Sequence, residues 1–471
     1  GGLYLVIAET FARKKNDRLK LQFLEKLSKF FVLVSVVFGA LTGVGIWFII
    51  GLLNPAATEV LIHNYVWAWA AEWTFFVIEI CAALLYFYGW KKLSAKNHII
   101  IGWIYFISAW MSLFIINGVI TYMLSPGDWI TTGYFWDGFF NPTFWSSLWL
   151  RTGICIMLGG VYALFVASQL KPDDFKKRIV RFNSFWVAGG LVIMMATLSW
   201  YIASIPKEIV DAALEAKLTP VEAMNASYIN AFLLGIVIIV FGFIIPKRYN
   251  IVVGVIAMVL ALAWFGEYEW MRESIRKPYV ITNYMYGNGI DVANAEKYQE
   301  EGLLASMKFQ TSDKSADLFR RACRSCHTID GYKPLKPAFD GTDETFIAQI
   351  IMGAHVIRGN MPPFVGTEDE AQMVASHIYK QIDTRHISEI YNLEGIALGK
   401  KVYDIRCGKC HVFNGYNDKS ESLLGISEED LGDILDMAGD FADEMPDFRG
   451  DEKERKALIE YIMSLNKKES N

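Results

Sequence analysis

Charged side chains are scarce in this 471-residue sequence: Asp, Glu, Lys and Arg together make up 20%, and histidine occurs seven times. This balance excludes a disordered chain, a collagen-like repeat and a coiled coil. Hydrophobic residues make up 53% of the chain and occur in long blocks. A purely soluble protein is therefore not expected, and the length suggests two or three domains.

Seven apolar stretches, each about long enough to cross a bilayer, fill most of the first 270 residues. They cover residues 30–53, 64–90, 98–124, 143–169, 183–206, 226–246 and 249–270. An eighth, partial stretch opens the sequence at residues 3–10 without a methionine or a charged flank. We interpret the chain as beginning partway through a helix. Residues 1–279 are thus predicted to form an all-α, polytopic bundle of about eight transmembrane helices.

Cations are nearly missing from every second loop between these stretches. Residues 54–63 and 125–143 contain no Lys or Arg, whereas the alternate loops hold clusters of two to five. The positive-inside rule places the cationic loops in the cytoplasm. Counting crossings then puts everything after about residue 272 on the periplasmic side of a bacterial inner membrane.

Cysteine is also scarce, but four of the six residues belong to two Cys-x-x-Cys-His motifs. A disulfide framework is one interpretation of four such cysteines, but a His directly after each pair is typical of covalent c-type haem attachment. The thiols form thioethers, and the adjacent His becomes the proximal iron ligand. We therefore predict two covalent haem c groups, bound by Cys323, Cys326 and His327 and by Cys407, Cys410 and His411.

A methionine follows each motif at the same distance. Met361 and Met445 each lie 34 residues after the motif histidine and directly before a proline. A thioether sulfur is a soft sixth ligand that raises the haem potential. Six-coordinate iron leaves no position for a substrate, so we expect these haems to transfer electrons rather than to catalyse. Other candidates for the axial ligand are Met352, His355 and Met437. None of them lies directly before a proline at the distance that Met361 and Met445 share.

The two motifs belong to an internal duplication. An aromatic residue, Phe319 or Tyr403, stands four positions before the first cysteine of each motif. We predict two small cytochrome c-like helical domains at residues 313–384 and 385–471, here called the first and second c units. The polar residues 280–312 are predicted to form a linker.

Charge is divided unevenly between the two halves of the chain. Residues 1–280 contain 23 Lys and Arg against 17 Asp and Glu, whereas residues 281–471 contain 22 against 33. The second half thus has a net charge of −11. It disfavours nucleic acid as a partner and favours a basic electron donor or acceptor such as a cytochrome c.

Ionisable residues interrupt the apolar stretches. A charge in lipid costs on the order of several kcal/mol, so these side chains are expected to face the bundle interior. The functional interpretation is a proton path or a cofactor site, and the alternative is an interhelical ion pair such as Arg151 with one glutamate. His63 and His98 are expected to be ordinary interfacial residues. The ionisable residues are Glu9, Glu72, Glu79, Arg151, Glu267 and Glu269.

Several short segments of the membrane half occur in a characteristic order: Ala8-Glu9-Thr10, Phe38 to Gly43, Glu72, Phe75 to Glu79, Tyr88-Gly89-Trp90, Asn117-Gly118, Asn141-Pro142 and Trp264 to Tyr279. By these segments the membrane half resembles subunit I of cytochrome bd quinol oxidases, and by its two motifs the C-terminal half resembles tandem class I cytochrome c domains. The resemblance implies that Glu72 and Glu79 belong to a proton path and that Glu267 is a ligand of a high-spin haem b iron. It also implies haem b and haem d in the membrane half, and a second membrane subunit as partner.

Several features of that family are missing from this sequence. The family's low-spin haem b uses a His of the fifth helix and a Met of the seventh. Here the first position falls near Arg151, and the stretch 226–246 contains no Met. The quinol-oxidising loop is reduced to about residues 205–227. The resemblance with these losses implies that a cytochrome c-type donor replaces quinol.

We therefore predict a membrane-bound oxidoreductase subunit that passes electrons from a cytochrome c-type donor through the two haems c to a bd-like haem site, as in a terminal oxidase. Two alternatives stay open. One is a non-catalytic electron-transfer or anchor subunit of a larger respiratory complex, which the scarcity of membrane histidine favours. The other is a quinol dehydrogenase that feeds the haems c.

Overall fold

The computed structural model describes residues 1–216, 218–412, 417–419, 421–423, 425–441 and 445–469. It is 75% helical with almost no strand, which confirms the predicted all-α class. The chain divides into two compact units. The first comprises Gly1–Asp211 and Thr219–Arg276, and the second comprises Ala212–Leu218 and Lys277–Asn471.

The first unit is built from helices whose ends follow local sequence signals. Side chains of Asp17, Ser94 and Asp173 accept hydrogen bonds from backbone N–H groups at the starts of α2, α6 and α10, which stabilises those starts. Two segments are π-helical, Leu33–Phe38 and Ile238–Ile244, and Pro246–Arg248 is a 3₁₀ turn. The α-helices are α1 Gly2–Lys14, α2 Arg18–Val32, α3 Gly39–Leu53, α4 Pro55–Asn64, α5 Val66–Gly89, α6 Ala95–Leu124, α7 Trp129–Thr132, α8 Phe135–Phe139, α9 Phe144–Ser168, α10 Asp174–Ser204, α11 Lys207–Ala216, α12 Leu218–Val237 and α13 Ile251–Arg276.

Among the residues that the structure describes, six helices of this unit are long and apolar enough to cross a membrane. A seventh span is formed if Leu41–Leu53 and Pro55–Asn64, which meet at 117°, count as one broken helix. The predicted partial stretch at the start is α1, with 13 residues. The six spans are Val66–Gly89, Ala95–Leu124, Phe144–Ser168, Asp174–Ser204, Val221–Ile244 and Ile251–Arg276.

Glycines allow α9 and α10 to approach each other closely. A Cβ atom on Gly153 would come within 2.9 Å of the backbone nitrogen of Met194, and one on Gly160 within 2.8 Å of that of Val187. Small residues at such crossings let helix backbones pack tightly in a membrane, where burial from water does not drive association.

The second unit contains short helices and one small antiparallel sheet. Strand β1 Tyr279–Ile281 pairs with β2 Met285–Tyr286. Thr367 and Glu370 form a reciprocal capping box at the start of α18, which marks the amphipathic helix that closes the first c unit. The helices are α14 Ala295–Glu301, α15 Lys314–Ala322, α16 Lys336–Phe339, α17 Glu344–Arg358, α18 Glu368–Tyr379, α19 Ile387–Tyr391, α20 Gly395–Val402, α21 Glu428–Asp436 and α22 Glu452–Glu469, with short 3₁₀ turns at Val292–Asn294, Leu304–Ser306, Glu421–Leu423 and Ala438–Asp440 and a π-helical segment at Tyr403–Cys407.

The structure differs from the predicted linker at residues 280–312. Ile290 and Leu303 are buried and pack into the hydrophobic core of the first c unit. The Glu370 carboxylate accepts hydrogen bonds from the backbone N–H groups of Leu303 and Leu304, at 2.7 and 2.8 Å. This segment is folded because its few apolar residues find partners distant in the sequence, although they follow no helical or strand period.

Candidate functional site

The two Cys-x-x-Cys-His motifs adopt the same turn. In the first, the N–H groups of Cys326 and His327 donate to the carbonyl oxygen of Cys323, at 3.0 and 2.9 Å. The second motif repeats these contacts at the same two distances on the carbonyl oxygen of Cys407. Each turn presents two thiols and one imidazole from five consecutive residues, which is the donor set for a covalently attached haem.

Each motif histidine is oriented by a backbone carbonyl six residues further on. The Nδ1 atom of His327 lies 3.0 Å from the carbonyl oxygen of Lys333, and that of His411 lies 3.1 Å from that of Asn417. Lys333 and Asn417 both have positive φ, at 43° and 49°. A carbonyl oxygen only accepts, so Nδ1 carries the proton and Nε2 keeps the lone pair that ligates iron.

The motif cysteines are free thiols rather than the disulfide pairs of the alternative interpretation. Burial raises the pKa of the Cys323 and Cys407 thiols to about 12. Burial also lowers the pKa of His327, which favours the neutral imidazole that a metal requires. The residues present therefore fit a c-type haem at both motifs.

The two predicted methionine ligands are half-buried, whereas the two rival methionines are exposed. The side chains of Met352 and Met437 are 43% and 48% exposed, which suits surface positions. His355 donates from Nδ1 to the backbone carbonyl oxygen of Met361 at 2.9 Å, so it supports the Met361 segment. Residues 413–416 and 442–444, which flank the second site, lie outside the described residues.

The second motif lies against the first c unit. Cys410 packs on the hydrophobic core of that unit. The ammonium group of Lys409 donates to the carbonyl oxygen of Ala338 and lies 4.9 Å from the ring centroid of Phe339. The second haem-attachment turn therefore forms part of the contact between the two c units.

In the membrane unit, Glu72 and Glu79 lie one above the other on α5. Glu72 accepts a hydrogen bond from the Ser112 hydroxyl of α6 at 2.8 Å. The two carboxylates interact electrostatically with each other. Both are half-buried. They therefore lie on one face of α5, about two helix turns apart.

Glu267 on α13 is held by one neighbour. Asn230 of α12 donates to its Oε1 atom at 2.7 Å. Its Oε2 atom is buried and has no hydrogen-bond partner among the described residues. A buried carboxylate oxygen without a partner is costly, and it suits a group that ligates a metal. Glu267 thus fits the role of a haem iron ligand.

Arg151 of α9 forms an ion pair with Glu269 of α13. Such a pair is the alternative to a functional role that the sequence left open. The Nη2 atom of Arg151 lies 3.1 Å from Oε1 of Glu269, and Arg272 binds the other oxygen of Glu269 at 2.9 Å. The Arg151 guanidinium also lies over the Tyr268 ring, 5.7 Å from its centroid. Charged and aromatic groups of α9 and α13 therefore fill the region around Arg151.

Glu9 belongs to a buried cluster of polar side chains that the sequence did not predict. His98 is fully buried rather than interfacial, because its ring lies between α1, α5 and α6. Its Nδ1 atom lies 2.8 and 2.9 Å from the two carboxylate oxygens of Glu9, and its Nε2 atom lies 2.8 Å from the carbonyl oxygen of Tyr86. The partners are 89 residues apart in sequence, so no local pattern could reveal the pair.

Comparisons with known families agree with both halves. Residues 2–225 match the family model described as cytochrome bd terminal oxidase subunit I, and residues 310–378 match the one described as cytochrome C oxidase, cbb3-type, subunit III. No curated protein matches the chain. The matched ranges include Glu72, Glu79 and the first haem motif, but they end before Glu267 and before the second motif.

These matches agree with the resemblance and with the haem-binding turn. The chain is a membrane electron-transfer haem protein, whose residues 2–225 are similar to cytochrome bd terminal oxidase subunit I and whose residues 310–378 are similar to a cbb3-type cytochrome c domain.

Proposed function

We propose that the chain is the haem-carrying subunit of a respiratory oxidoreductase that takes electrons from a cytochrome c-type donor and delivers them through two haems c to a bd-like haem site. The observation that carries the proposal is the repeated haem-binding turn, whose second copy packs against the first c unit. Such packing suits electron transfer within one body, since the second attachment turn lies on the unit that carries the first.

The residues of each c unit have separate roles. Cys323, Cys326 and His327 would hold the first haem, with Met361 as sixth ligand. When bound, these haems supply one-electron transfer. The carbonyl oxygens of Lys333 and Asn417 orient the two imidazoles, so Nε2 of each would be the atom that ligates iron.

The second haem would be held in the same way. Cys407 and Cys410 would provide the thioether sulfurs, and His411 and Met445 would ligate the iron. Tyr403 donates from its hydroxyl to the carbonyl oxygen of His411 at 2.5 Å, so the aromatic residue four positions before the motif supports the ligand backbone.

In the membrane unit, Glu267 would ligate a haem b iron, and oxygen is the proposed acceptor. Glu72 and Glu79 would carry protons towards that site. Arg151 with Glu269 would occupy the region used elsewhere in the family by the low-spin haem b, which accounts for the absence of a His ligand near residue 151. A second membrane subunit would complete the complex and, with lipid, cover the exposed apolar faces of the helices.

The membrane in question would be the bacterial inner membrane. The c units would lie on the periplasmic side, where covalent haem attachment takes place. Their net charge of −11 over residues 281–471 suits a basic soluble donor.

Counting the haems tests the proposal against its alternatives. A pyridine haemochrome spectrum of the purified complex measures c, b and d haem per chain. Two haems c with haem b and haem d support the proposal, and oxygen uptake with reduced cytochrome c is the next assay. Two haems c alone would identify the membrane half as an anchor. Haems c with haem b alone would favour the quinol dehydrogenase.

A further inference from the structure

The two c units are related by a constant offset of 84 residues, which separates the two Cys-x-x-Cys-His motifs. The structure repeats contacts at the same offset. The N–H group of Leu303 donates to the carboxylate of Glu370 at 2.7 Å. Its counterpart Ile387 donates to the carboxylate of Glu454, also at 2.7 Å. Each contact of one unit can therefore be compared with the equivalent position of the other.

Residues 338–346 of the first c unit, here called the joint face, form a surface on which the second unit lies. Three cations of the second unit contact it. The guanidinium of one donates to the carbonyl oxygen of Gly341 at 2.8 Å, and that of another lies 3.5 Å from the Asp343 carboxylate. The third cation belongs to the second haem-attachment turn itself. The joint face thus binds a cationic surface that includes an attachment turn. The three cations are Arg406, Arg449 and Lys409.

Residues 425–430 of the second c unit, here called the open face, are the counterpart of most of the joint face. Gly425 has a φ of 76°, nearly the 78° of Gly341. Asp343 and its counterpart Ser427 each accept a hydrogen bond from a backbone N–H group at the start of the following helix. The backbone of the joint face is therefore repeated in the second unit.

The joint face is covered, whereas the open face is accessible. A Cβ atom on Gly341 would lie 2.5 Å from Cγ1 of Ile387 in the second unit. A Cβ atom on Gly425 would meet no described atom within 4 Å apart from its own chain neighbours. The counterpart of an occupied surface is thus open to a partner. The exposed polar residues of the open face are Ser427, Glu428, Glu429 and Asp430.

The other end of this row of units is closed by the chain itself. Ala322, the counterpart of Arg406, accepts a hydrogen bond at its carbonyl oxygen from the Asn288 side chain at 3.3 Å. Arg321 donates to the carbonyl oxygen of Asn288 at 2.8 Å. The segment before the first unit thus contacts the residues beside the first turn, as the joint face contacts those beside the second. Both attachment turns are engaged, which argues against a second copy of this chain as the partner of the open face.

Charge favours a basic partner for the open face. The joint face contains three acidic residues and no Lys or Arg, and it binds a cationic surface. The open face also contains three acidic residues and no Lys or Arg. A surface of the same shape and sign suits a partner of the same kind as the second c unit, with cations beside its own haem.

We propose that the open face docks the electron donor, a basic c-type cytochrome, in the position of a third c unit. This inference rests on the proposed function, since it assumes that electrons enter through the haems c. One electron would leave the donor's Fe(II), which becomes Fe(III), and reduce the iron held at His411 from Fe(III) to Fe(II). No bond or proton is transferred. The second c unit would thus be the entry point, and the first would receive the electron from it.

Binding of the oxidised donor tests the docking surface without turnover. The purified holoprotein in lipid nanodiscs is titrated with an oxidised, lysine-rich soluble cytochrome c in a calorimeter at low ionic strength. We expect Glu428→Lys to weaken binding by roughly tenfold, because it replaces an attractive charge with a repulsive one at the contact. Glu368→Lys is the matched control. It changes the net charge equally at the exposed first residue of α18, so it should weaken binding by about twofold or less.

Cross-linking locates the donor on the unaltered chain, so it serves even if Glu428→Lys does not assemble. A carbodiimide joins lysines of the cytochrome to carboxylates that they contact, and mass spectrometry identifies the linked peptides. We expect links to Glu428, Glu429 or Asp430. Links confined to the first c unit would overturn the open face as the docking site.

The outcomes separate the docking surface from the proposed function. If the cytochrome binds and reduces the haems c, but Glu428→Lys and Glu368→Lys weaken binding equally, the open face is refuted and the donor class stands. If the cytochrome neither binds nor, in its reduced form, reduces the haems c, the proposed donor fails and the open face fails with it.

Discussion

The guanidinium of Arg406 donates to the carbonyl oxygen of Gly341 at 2.8 Å, which joins the second c unit to the first. The same Nη2 atom lies 3.2 Å from Oε2 of Glu454, and both side chains are almost fully buried. The other Glu454 oxygen accepts the N–H of Ile387 at 2.7 Å. One buried ion pair thus organises the contact between the two units.

We predict that Arg406→Ala destabilises the c units by roughly 3–5 kcal/mol, because it leaves the Glu454 carboxylate buried without its cation. Thermal unfolding of the purified chain, followed at the haem absorbance, measures the loss. Arg455→Ala is the control, since Arg455 pairs with an exposed Asp436 and should cost about 1 kcal/mol or less. Equal losses in the two variants would contradict the role given to Arg406.

Replacing the sixth ligand should change the potential without removing the haem. In Met445→Ala the haem stays attached through its thioethers, and its potential falls by on the order of 0.1 V or more, within the roughly 0.8 V that axial ligands span. A redox titration measures the shift. Met361→Ala should act on the other haem, and exposed Met437→Ala should act on neither. An unchanged potential in Met445→Ala would exclude Met445 as a ligand.

Removal of the Glu79 carboxylate should slow oxygen uptake. We expect Glu79→Gln to lower the rate by roughly 100-fold, because the amide cannot take up and release a proton. The reduction of the haems c by their donor should not change. Glu59→Gln, at an exposed position, provides the control. Normal oxygen uptake in Glu79→Gln would be evidence against the proton path.

Acid should weaken the fold around Asp383, whose carboxylate pairs with Arg385. The Arg385 guanidinium and backbone N–H lower the pKa of Asp383 from 3.8 to about 2. Because the folded pKa lies below the unfolded one, ionised Asp383 stabilises the fold above about pH 4, and this stabilisation is lost as the pH falls towards 2. Asp383→Asn should therefore flatten the decline of thermal stability between pH 4 and 2. Asp330→Asn, at an exposed aspartate of the same c unit, should keep the wild-type decline.

Salt should slow reduction of the c units by a basic donor. The negative charge of residues 281–471 attracts such a donor over a distance that salt screens. Stopped-flow reduction by a basic cytochrome c should fall steeply as ionic strength rises, and reduction by an acidic cytochrome should not. A rate independent of salt would remove the basic donor from the proposal.

The repeated haem motif could be found from the sequence because its chemistry is local. Two thiols and an imidazole within five residues form their turn without help from distant parts of the chain, and the structure shows the same hydrogen bonds in Cys323–His327 as in Cys407–His411. The carbonyl groups of Lys333 and Asn417 were not expected. The position of each carbonyl depends on a positive φ at that residue. A single Lys or Asn in a sequence does not predict such a backbone conformation.

The segment 280–312 and His98 could not be described correctly from local sequence, because their contacts are distant in the chain. A polar composition suggested a linker, but Leu303 is anchored by Glu370, which lies 67 residues away. A position at the end of an apolar stretch suggested an interfacial His98, but α1 brings Glu9 against it. Such contacts depend on which helix faces pack together, and periodicity within one helix does not specify its neighbour.

The helical class and the membrane-spanning character of the first half follow from the sequence alone, since hydrophobic length specifies them. The two haem-attachment motifs are predicted by residues adjacent in the chain. The fold was needed to show that Glu9 meets His98, that one Glu267 oxygen has no partner among the described residues, and that Lys409 and Cys410 lie on the first c unit. These features join residues from separate elements, and packing is what brings them within hydrogen-bonding distance.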